Sequence, residues 1–362
     1  MAGLVAAARL RELGESPVVY EKGTRPGGSM LLSSCVVWRH RDWEDFRGEC
    51  PTGDERVQRL VWDRLDHAID WLVSLGAPVV WEETGNPRTV GKRFDPAGLT
   101  TVLVGAAGEI HVGHTWSDLT SRSDLTSWSG QTNPLVLATG GFQGSAELVP
   151  RYISPSAPLR LRANPWSAGD GLRIGLEHGA ALSAGMDEFY GRNMPDADFA
   201  EADFVAKAQL YGRFARVFNE RGEEFFRGEI SWSENDLVQA TARQPGARAW
   251  YVLDDRALEQ RVRDRTVADM VAAASTATDP AELPFTAPPG ASVAVRVAPG
   301  ITHTIGGLRI DERARVLRAE GAPIDGLFAA GADVGGISTG GYASGLAAAL
   351  VLGLTAAESA VS

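Results

Sequence analysis

The sequence predicts an α/β protein, a Rossmann-like nucleotide-binding domain interrupted by an inserted α+β second domain. Three observations predict it. The chain opens on a helix, a glycine, a strand and a terminal acid. Glycine-rich turns recur from Gly23 to Gly171 and again from His303 onward. Between them, residues 196–290 change texture, with more charge, several Trp and Phe, and a Pro/Ala-rich stretch at 279–291. At 362 residues and 38.6 kDa the chain has length for about two domains. Its 44% hydrophobic and 22% charged content excludes a disordered chain, because that much apolar surface offsets the entropy of ordering. The net charge is −11 and no basic run occurs, which argues against a nucleic-acid partner. The longest apolar stretch, 346–354, is too short to span a bilayer and contains Gly353, so no membrane insertion is expected. Two cysteines, Cys35 and Cys50, make neither a disulfide framework nor a metal site. The start of the chain lacks the basic and apolar runs of a signal peptide, and a cytoplasmic setting is expected.

Gly3-Leu4-Val5-Ala6-Ala7-Ala8-Arg9-Leu10-Arg11-Glu12-Leu13-Gly14 reads as a helix ending on a glycine cap. Pro17-Val18-Val19-Tyr20-Glu21 follows as a β-branched strand. Together they read as the second half of a βαβ dinucleotide unit, with Gly3 as the third glycine of its G-x-G-x-x-G turn. An ordinary Ala-rich helix is the alternative. The apolar strand that should lead into the turn is missing, since only Met1 and Ala2 precede Gly3. The expectation is therefore a chain short at its N-terminus, with an apolar strand and a Gly-x-Gly-x-Ala turn encoded upstream. Such a chain would bind its cofactor weakly or fold poorly.

Residues 56–75 place Val57, Leu60, Val61, Leu65, Ile69, Leu72 and Val73 at helical spacing. Residues 99–104 suggest another helix and 109–112 a strand. Residues 117–133 are polar and contain a short duplication, at 117–121 and 123–127, read as an exposed loop or hairpin. Residues 134–137 form a buried strand entering Ala138-Thr139-Gly140-Gly141-Phe142. A helix over 170–181 starts at Gly169-Asp170-Gly171. From Val293 the chain returns to strands and glycine turns, and it ends in a small-residue helix over 344–358.

The turns stand in a fixed order: Glu21-Lys22-Gly23, Gly27-Gly28-Ser29, Ala138-Thr139-Gly140-Gly141, Gly169-Asp170-Gly171, His303-Thr304-Ile305-Gly306-Gly307, and Gly326-Leu327-Phe328-Ala329-Ala330-Gly331-Ala332-Asp333. In this order, over nearly the whole chain, they resemble the flavoprotein family of fumarate reductases and succinate dehydrogenases. Its relatives include the 3-ketosteroid dehydrogenases and tricarballylate dehydrogenase. The resemblance implies FAD, a discontinuous FAD-binding domain over 1–190 and 293–362, and a capping (substrate) domain over 191–292. A carboxylate ending the second strand can accept from both ribose hydroxyls, which gives Glu21 its role; a surface glutamate is the alternative. The resemblance places Gly3, Lys22, Gly27, Gly28, Ser29, Ala138, Thr139, Gly140, Gly141, Asp170 and Gly331 along the cofactor. The family reads Gly-Glu at the end of the late strand, where the glutamate holds the ribityl chain. Here Ala332 follows Gly331, and Asp333 is the substitute. The helix starting at Ser344-Gly345-Leu346 would aim its amides at the flavin. No histidine follows Gly27-Gly28-Ser29, so the FAD is expected to be non-covalent.

On the substrate side, His303 matches the second histidine of the family's His-His-Thr-Met-Gly-Gly motif, which binds a substrate carboxylate; a structural histidine is the alternative. Arg192 takes the place of a histidine that precedes a proline. It could clamp a carboxylate or polarise a carbonyl, or equally pair with Asp187 or Glu188. Fumarate reductases carry an arginine where this chain has Tyr342, and a second one after an Asp-Asp pair where this chain has about Leu258. Those departures point to the ketosteroid and tricarballylate branch. The expected reaction adds or removes two hydrogens across a Cα–Cβ bond beside a carbonyl or carboxylate. His303, Tyr342, Arg192 and Tyr190 are its catalytic candidates, with no metal and with an electron partner outside the chain. A fumarate-type reductase, or a non-catalytic fragment, are the alternatives.

Overall fold

A computed structural model describes residues 1–120, 133–262 and 265–362. The chain divides into two compact units. One comprises Met1–Leu148, Ala163–Glu188 and His303–Ser362; the other comprises Val149–Arg162 and Phe189–Thr302.

Small side chains decide how the first unit packs. Its first helix, Ala2–Glu12, buries Ala2, Leu4, Val5, Ala6, Ala7 and Ala8. Its last helix, Gly345–Ala360, is buried continuously over 347–357. The two helices lie against each other closely enough that a Cβ on Gly353 would sit 2.8 Å from the Ala2 carbonyl oxygen and 3.0 Å from the Val5 side chain. At Gly3 a Cβ would lie 3.3 Å from Ala138. That contact matches the close helix–strand packing expected of this glycine.

Two small sheets accompany these helices. Val19–Glu21 pairs in parallel with Ile110–Val112, with Glu21 opposite Val112. Leu135–Leu137 pairs in parallel with Pro323–Ala329, which pairs antiparallel with Arg315–Leu317. The first helix touches both Val19–Glu21 and Leu135–Leu137. The long helix Glu55–Ser74 is capped by Asp54, whose carboxylate accepts the Arg56 N–H at 3.1 Å. It buries Val57, Val61, Leu65, Ala68, Ile69 and Leu72 on one face; of the residues read at helical spacing, Leu60 is half-buried and Val73 exposed.

Three features depart from the sequence reading. Val36–His40, Thr89–Phe94 and Val79–Trp81 form an antiparallel sheet that no strand pattern announced. Gly91, at φ 149°, interrupts the alternation of the middle strand. A Cβ there would strike the Val37 carbonyl. The start of the polar stretch is a helix, Trp116–Thr120, and not a loop or hairpin. Asp118 stabilises its first turn by accepting from the Thr115 N–H at 2.9 Å and the Thr115 hydroxyl at 2.6 Å. The second copy of the duplication, 123–127, lies outside the described residues. The helix expected over 170–181 ends at Glu177, because Gly179 turns the chain at φ 82°.

The second unit is built on one sheet. Ala277–Thr278, Val293–Thr304, Ala249–Leu253 and Arg216–Phe218 lie in that order, and Arg160–Leu161 and Phe189–Pro195 also pair with Val293–Thr304. Tyr211, Leu237, Tyr251, Val267, Met270, Val295 and Val297 fill its core. The unit is wider than the 191–292 that the resemblance implies. Arg160–Leu161 is drawn in by parallel pairing with Gly300 and Ile301, and residues from Val293 onward supply the shared strand. Among the described residues no helix is long and apolar enough to cross a membrane, and no cluster of His, Cys, Asp and Glu could hold a metal ion.

The helix contact makes a paired prediction. Gly353→Ala overpacks the seam and should cost about 1–3 kcal/mol in a thermal or denaturant melt. Gly105→Ala, in the helix Pro96–Ala107 where nothing lies within 4 Å, should be neutral or stabilise by about 0.5–1 kcal/mol. Equal effects at the two sites would contradict close packing at Gly353.

Candidate cofactor and active site

At the end of the strand Val19–Glu21, the Glu21 carboxylate accepts the Gly23 N–H at 2.7 Å through one oxygen. This folds the next turn and fixes where the carboxylate ends. Gly23 lies under Trp166, whose ring a Cβ would approach to 2.5 Å. Lys22 pairs with Asp170 at 2.7 Å, joining this turn to the start of the helix Asp170–Glu177. Gly27 and Gly28 adopt φ 109° and 54°, a backbone only glycine takes readily, and lead into the short helix Gly28–Leu31. Ser29 Oγ then accepts from the Asn164 N–H at 3.2 Å and from Asn164 Nδ2 at 2.9 Å. Asn164 also binds Ser167 through Nδ2 and, through its carbonyl oxygen, accepts the N–H groups of Trp166 and Ser167 at 3.0 and 3.1 Å. Sequence reasoning missed Asn164 and Trp166. A lone Asn-Pro before a glycine turn looks like any loop, and only the fold brings it to Ser29.

The turn 138–141 is tied to Asp333. The Asp333 carboxylate accepts the Thr139 N–H, the Thr139 hydroxyl at 2.9 Å and the Gly141 N–H at 3.1 Å. Thr139 Oγ1 in turn accepts the Gly171 N–H at 2.9 Å. Asp333 is 2% exposed, and burial raises its carboxyl above the ordinary carboxylate range even though these hydrogen bonds oppose the shift. The expectation made Asp333 a ribityl ligand in place of the family glutamate; the structure directs its oxygens to the protein's own turn. Beside that turn two buried oxygens, Gln143 Oε1 and Thr304 Oγ1, have no hydrogen-bond partner among the described residues. They lie 2.9 and 2.7 Å from where a Gly141 Cβ would stand, and the Ala332 carbonyl oxygen lies at 3.1 Å. Orphaned buried oxygens beside a positive-φ glycine invite a ligand rich in hydroxyl or N–H groups. With the Glu21 carboxylate in the same unit, the residues fit a dinucleotide carrying sugar hydroxyls.

The last helix contributes its N-terminus. Ser344 Oγ accepts the Ala347 N–H at 3.2 Å, and the amides of Gly345 and Leu346, in the first turn, have no partner within the helix. His303 stands at this end, its Nε2 2.9 Å from where a Gly345 Cβ would be. His303 Nδ1 lies 3.1 Å from the Thr304 carbonyl oxygen, which can only accept, so Nδ1 carries the proton and Nε2 the lone pair. Burial lowers the His303 pKa below the ordinary histidine value, which keeps the ring neutral. Tyr342 precedes the same helix. Its ring centre is 5.3 Å from that of Trp38, and its carbonyl oxygen lies 3.3 Å from His40 Nε2. His40 stacks on Phe46 at 5.3 Å. The unforeseen sheet thus holds the Tyr342 loop.

In the second unit, Arg192 is 6% exposed, donates to the Ser233 carbonyl and sits 4.9 Å over the Tyr190 ring. Glu234 lies beside it in a left-handed conformation, φ 54°, and accepts the Gly212 N–H at 3.2 Å. Burial pushes the Glu234 carboxyl up to about 7 against the opposing charge of Arg192. Glu188, one partner considered for Arg192, accepts the Gly340 N–H at 2.7 Å.

Comparison with known proteins identifies the family. A family model described as an FAD binding domain matches residues 120–346, and one described as an NAD(P)-binding Rossmann-like domain matches residues 1–34. A probable fumarate reductase of Shewanella frigidimarina is 28% identical over 56% of this chain and 39% of its own length. A fumarate reductase (cytochrome) of Shewanella frigidimarina is 27% identical over 93% of this chain and 71% of its own. The chain thus spans well under half of the first relative. Among solved structures, a flavocytochrome c3 fumarate reductase in an open conformation superposes with a TM-score of 0.68 at 21% identity, covering 99% of this chain and 76% of the other. A 3-ketosteroid-Δ4-(5α)-dehydrogenase from Rhodococcus jostii superposes with a TM-score of 0.68 at 18% identity, covering 100% and 95%.

The Glu21 geometry is testable by fluorescence titration of the apoprotein with FAD. Glu21→Ala should weaken binding more than tenfold, since hydrogen bonds to a charged group contribute about 1.5–3 kcal/mol each. Glu21→Gln, which keeps an oxygen for the Gly23 N–H, should lose less.

Proposed function

The chain belongs to the FAD-binding-domain family and uses FAD, and from that premise we propose that it is an oxidoreductase acting on a Cα–Cβ bond next to a carbonyl or carboxylate. The observation that carries the reading is the pairing of a neutral, buried His303 with the N-terminus of the helix Gly345–Ala360, in the unit that also presents Tyr342 just before that helix. The reading takes the FAD as non-covalent, because no histidine follows Gly27-Gly28-Ser29. Glu21 would hold the adenosine ribose, Gly27–Ser29 and Thr139–Gly141 would let backbone approach the cofactor, and the Gly345 and Leu346 amides would face negative charge. Bound there, FAD supplies the acceptor or donor of a hydride.

The chain's own groups do the rest. The Tyr342 hydroxyl donates a hydrogen bond to a substrate carbonyl oxygen and draws charge from the adjacent carbon, which acidifies its proton. His303 Nε2 offers a lone pair for that proton, or accepts a hydrogen bond from a substrate acid. Arg192, supported by the Tyr190 ring, supplies a cation for a carbonyl or carboxylate in the second unit. Leu258 stands where the family's reductases carry an arginine, and it packs against the core of the second unit. With Tyr342 at the other arginine position, the reading favours an enone, ketosteroid-like or tricarballylate-like substrate over fumarate. The second reading, a fumarate-type reductase, is favoured by the names of the relatives. A cytoplasmic setting and an electron partner outside the chain belong to the same proposal.

Anaerobic flavin reduction by a panel of enones, ketosteroids and tricarboxylates, set against reoxidation by fumarate, separates the two readings. Turnover with fumarate alone would overturn the first. In stopped flow, Tyr342→Phe should leave the flavin spectrum intact and slow flavin reduction by about 10²–10⁴. Wild-type kinetics would make Tyr342 a packing residue. Because burial depresses the His303 pKa, its neutral form persists as pH falls through the ordinary histidine value. The acid limb of the reduction rate should therefore lie below that value, and His303→Gln should abolish it.

A further inference from the structure

We propose that Asp333 is a positioning residue, a buried carboxyl that shapes the cofactor cradle without touching the cofactor. This rests on the assignment of FAD to the chain and goes beyond it. Three donors of one turn converge on this carboxylate: the Thr139 N–H, the Thr139 hydroxyl at 2.9 Å and the Gly141 N–H at 3.1 Å. The hydroxyl that donates to Asp333 also accepts the Gly171 N–H, so the start of the helix Asp170–Glu177 is fixed by the same group. Gly171 has no room for a side chain, because a Cβ would stand 2.7 Å from the carboxyl carbon. The backbone of Asp333 reaches in the other direction. Its carbonyl accepts the Leu308 N–H at 2.8 Å, and a Cβ on Gly307 would lie 2.5 Å from that oxygen. One residue therefore sets the positions of the 139–141 turn, of the helix that carries Asp170, and of the end of the His303–Gly307 motif. The orphaned oxygens Gln143 Oε1 and Thr304 Oγ1 stand on the segments that it joins.

Burial holds the Asp333 carboxyl above the ordinary carboxylate range. The folded chain therefore binds that proton more tightly than the unfolded chain does. The group therefore contributes stability that is fully present below the carboxylate range of the unfolded chain and is lost as pH rises through the raised folded value. The amides and hydroxyl aimed at the carboxyl oppose that shift.

The test separates stability from cofactor affinity. In Asp333→Asn, one oxygen still accepts the Thr139 N–H and the new NH₂ can donate to Thr139 Oγ1, but that NH₂ opposes the Gly141 N–H. The apoprotein should melt no lower than wild type, while its FAD dissociation constant, read by flavin fluorescence quenching, should rise at least tenfold. Thr139→Val removes the bridging hydroxyl and should weaken FAD binding several-fold. The double variant should weaken it by less than the product of the two. FAD affinity unchanged in Asp333→Asn overturns the inference, as does a fully multiplicative double variant. A lower apoprotein melt with unchanged affinity also overturns it, by making Asp333 structural. Should Asp333→Asn fail to fold, Thr139→Val decides, and wild-type affinity there overturns the inference. A wild-type chain that takes up no FAD overturns the cofactor assignment and this inference together. Wild-type binding matched by Asp333→Asn overturns this inference alone.

Discussion

A carboxylate shut away from solvent must be met by donors, and in the first unit those donors come from a single turn. Asp333 is 2% exposed, and its oxygens take the amides and hydroxyl of 139–141. For the Gly141 amide to point inward, Gly140 and Gly141 adopt φ 94° and 84°, a region L side chains rarely occupy. For the neighbouring backbone to come close enough, Gly171 and Gly307 must carry no Cβ. Gly171 thus makes room for the Asp333 carboxyl, and Gly307 for its backbone carbonyl. Three motifs far apart in the chain border the same residue.

That dependence explains what the sequence made legible. The first helix, the long helix over 55–74, the strands at 19–21 and 135–137 and the last helix were all readable, because apolar periodicity and glycine punctuation are local signals. The order of the glycine turns was readable as well, and it carried the cofactor assignment that the family match over 120–346 supports. The direction in which Asp333 points was not. Residue type and spacing placed an acid after Gly331, but whether its oxygens face a ligand or the 139–141 turn depends on where a strand 194 positions away in the chain comes to rest. Asn164 was hidden for the same reason. Its side chain matters through Ser29, 135 positions earlier.

The sheet of Val36–His40, Thr89–Phe94 and Val79–Trp81 was illegible for a different reason. Its strands carry Arg39, Lys92 and Arg93 among their apolar residues, and Gly91 breaks the middle one, so neither period 2 nor a β-branched run stands out. The sheet nonetheless bears on the site. Trp38 and His40, on its first strand, meet the ring and the carbonyl of Tyr342. A tyrosine on a loop loses its aim unless packing fixes both backbone and ring, and this sheet supplies both contacts.

Charge in the second unit depends on pH. Leu258 packs against the core of that unit, and Tyr342 lies in the first. In that unit Arg192 has a buried acid beside it, Glu234, whose carboxyl burial pushes up to about 7. Above that pH the pair is close to neutral, and a second carboxylate brought to Arg192 must compete with one already in place. Below it, protonation of Glu234 releases the full charge of the guanidinium.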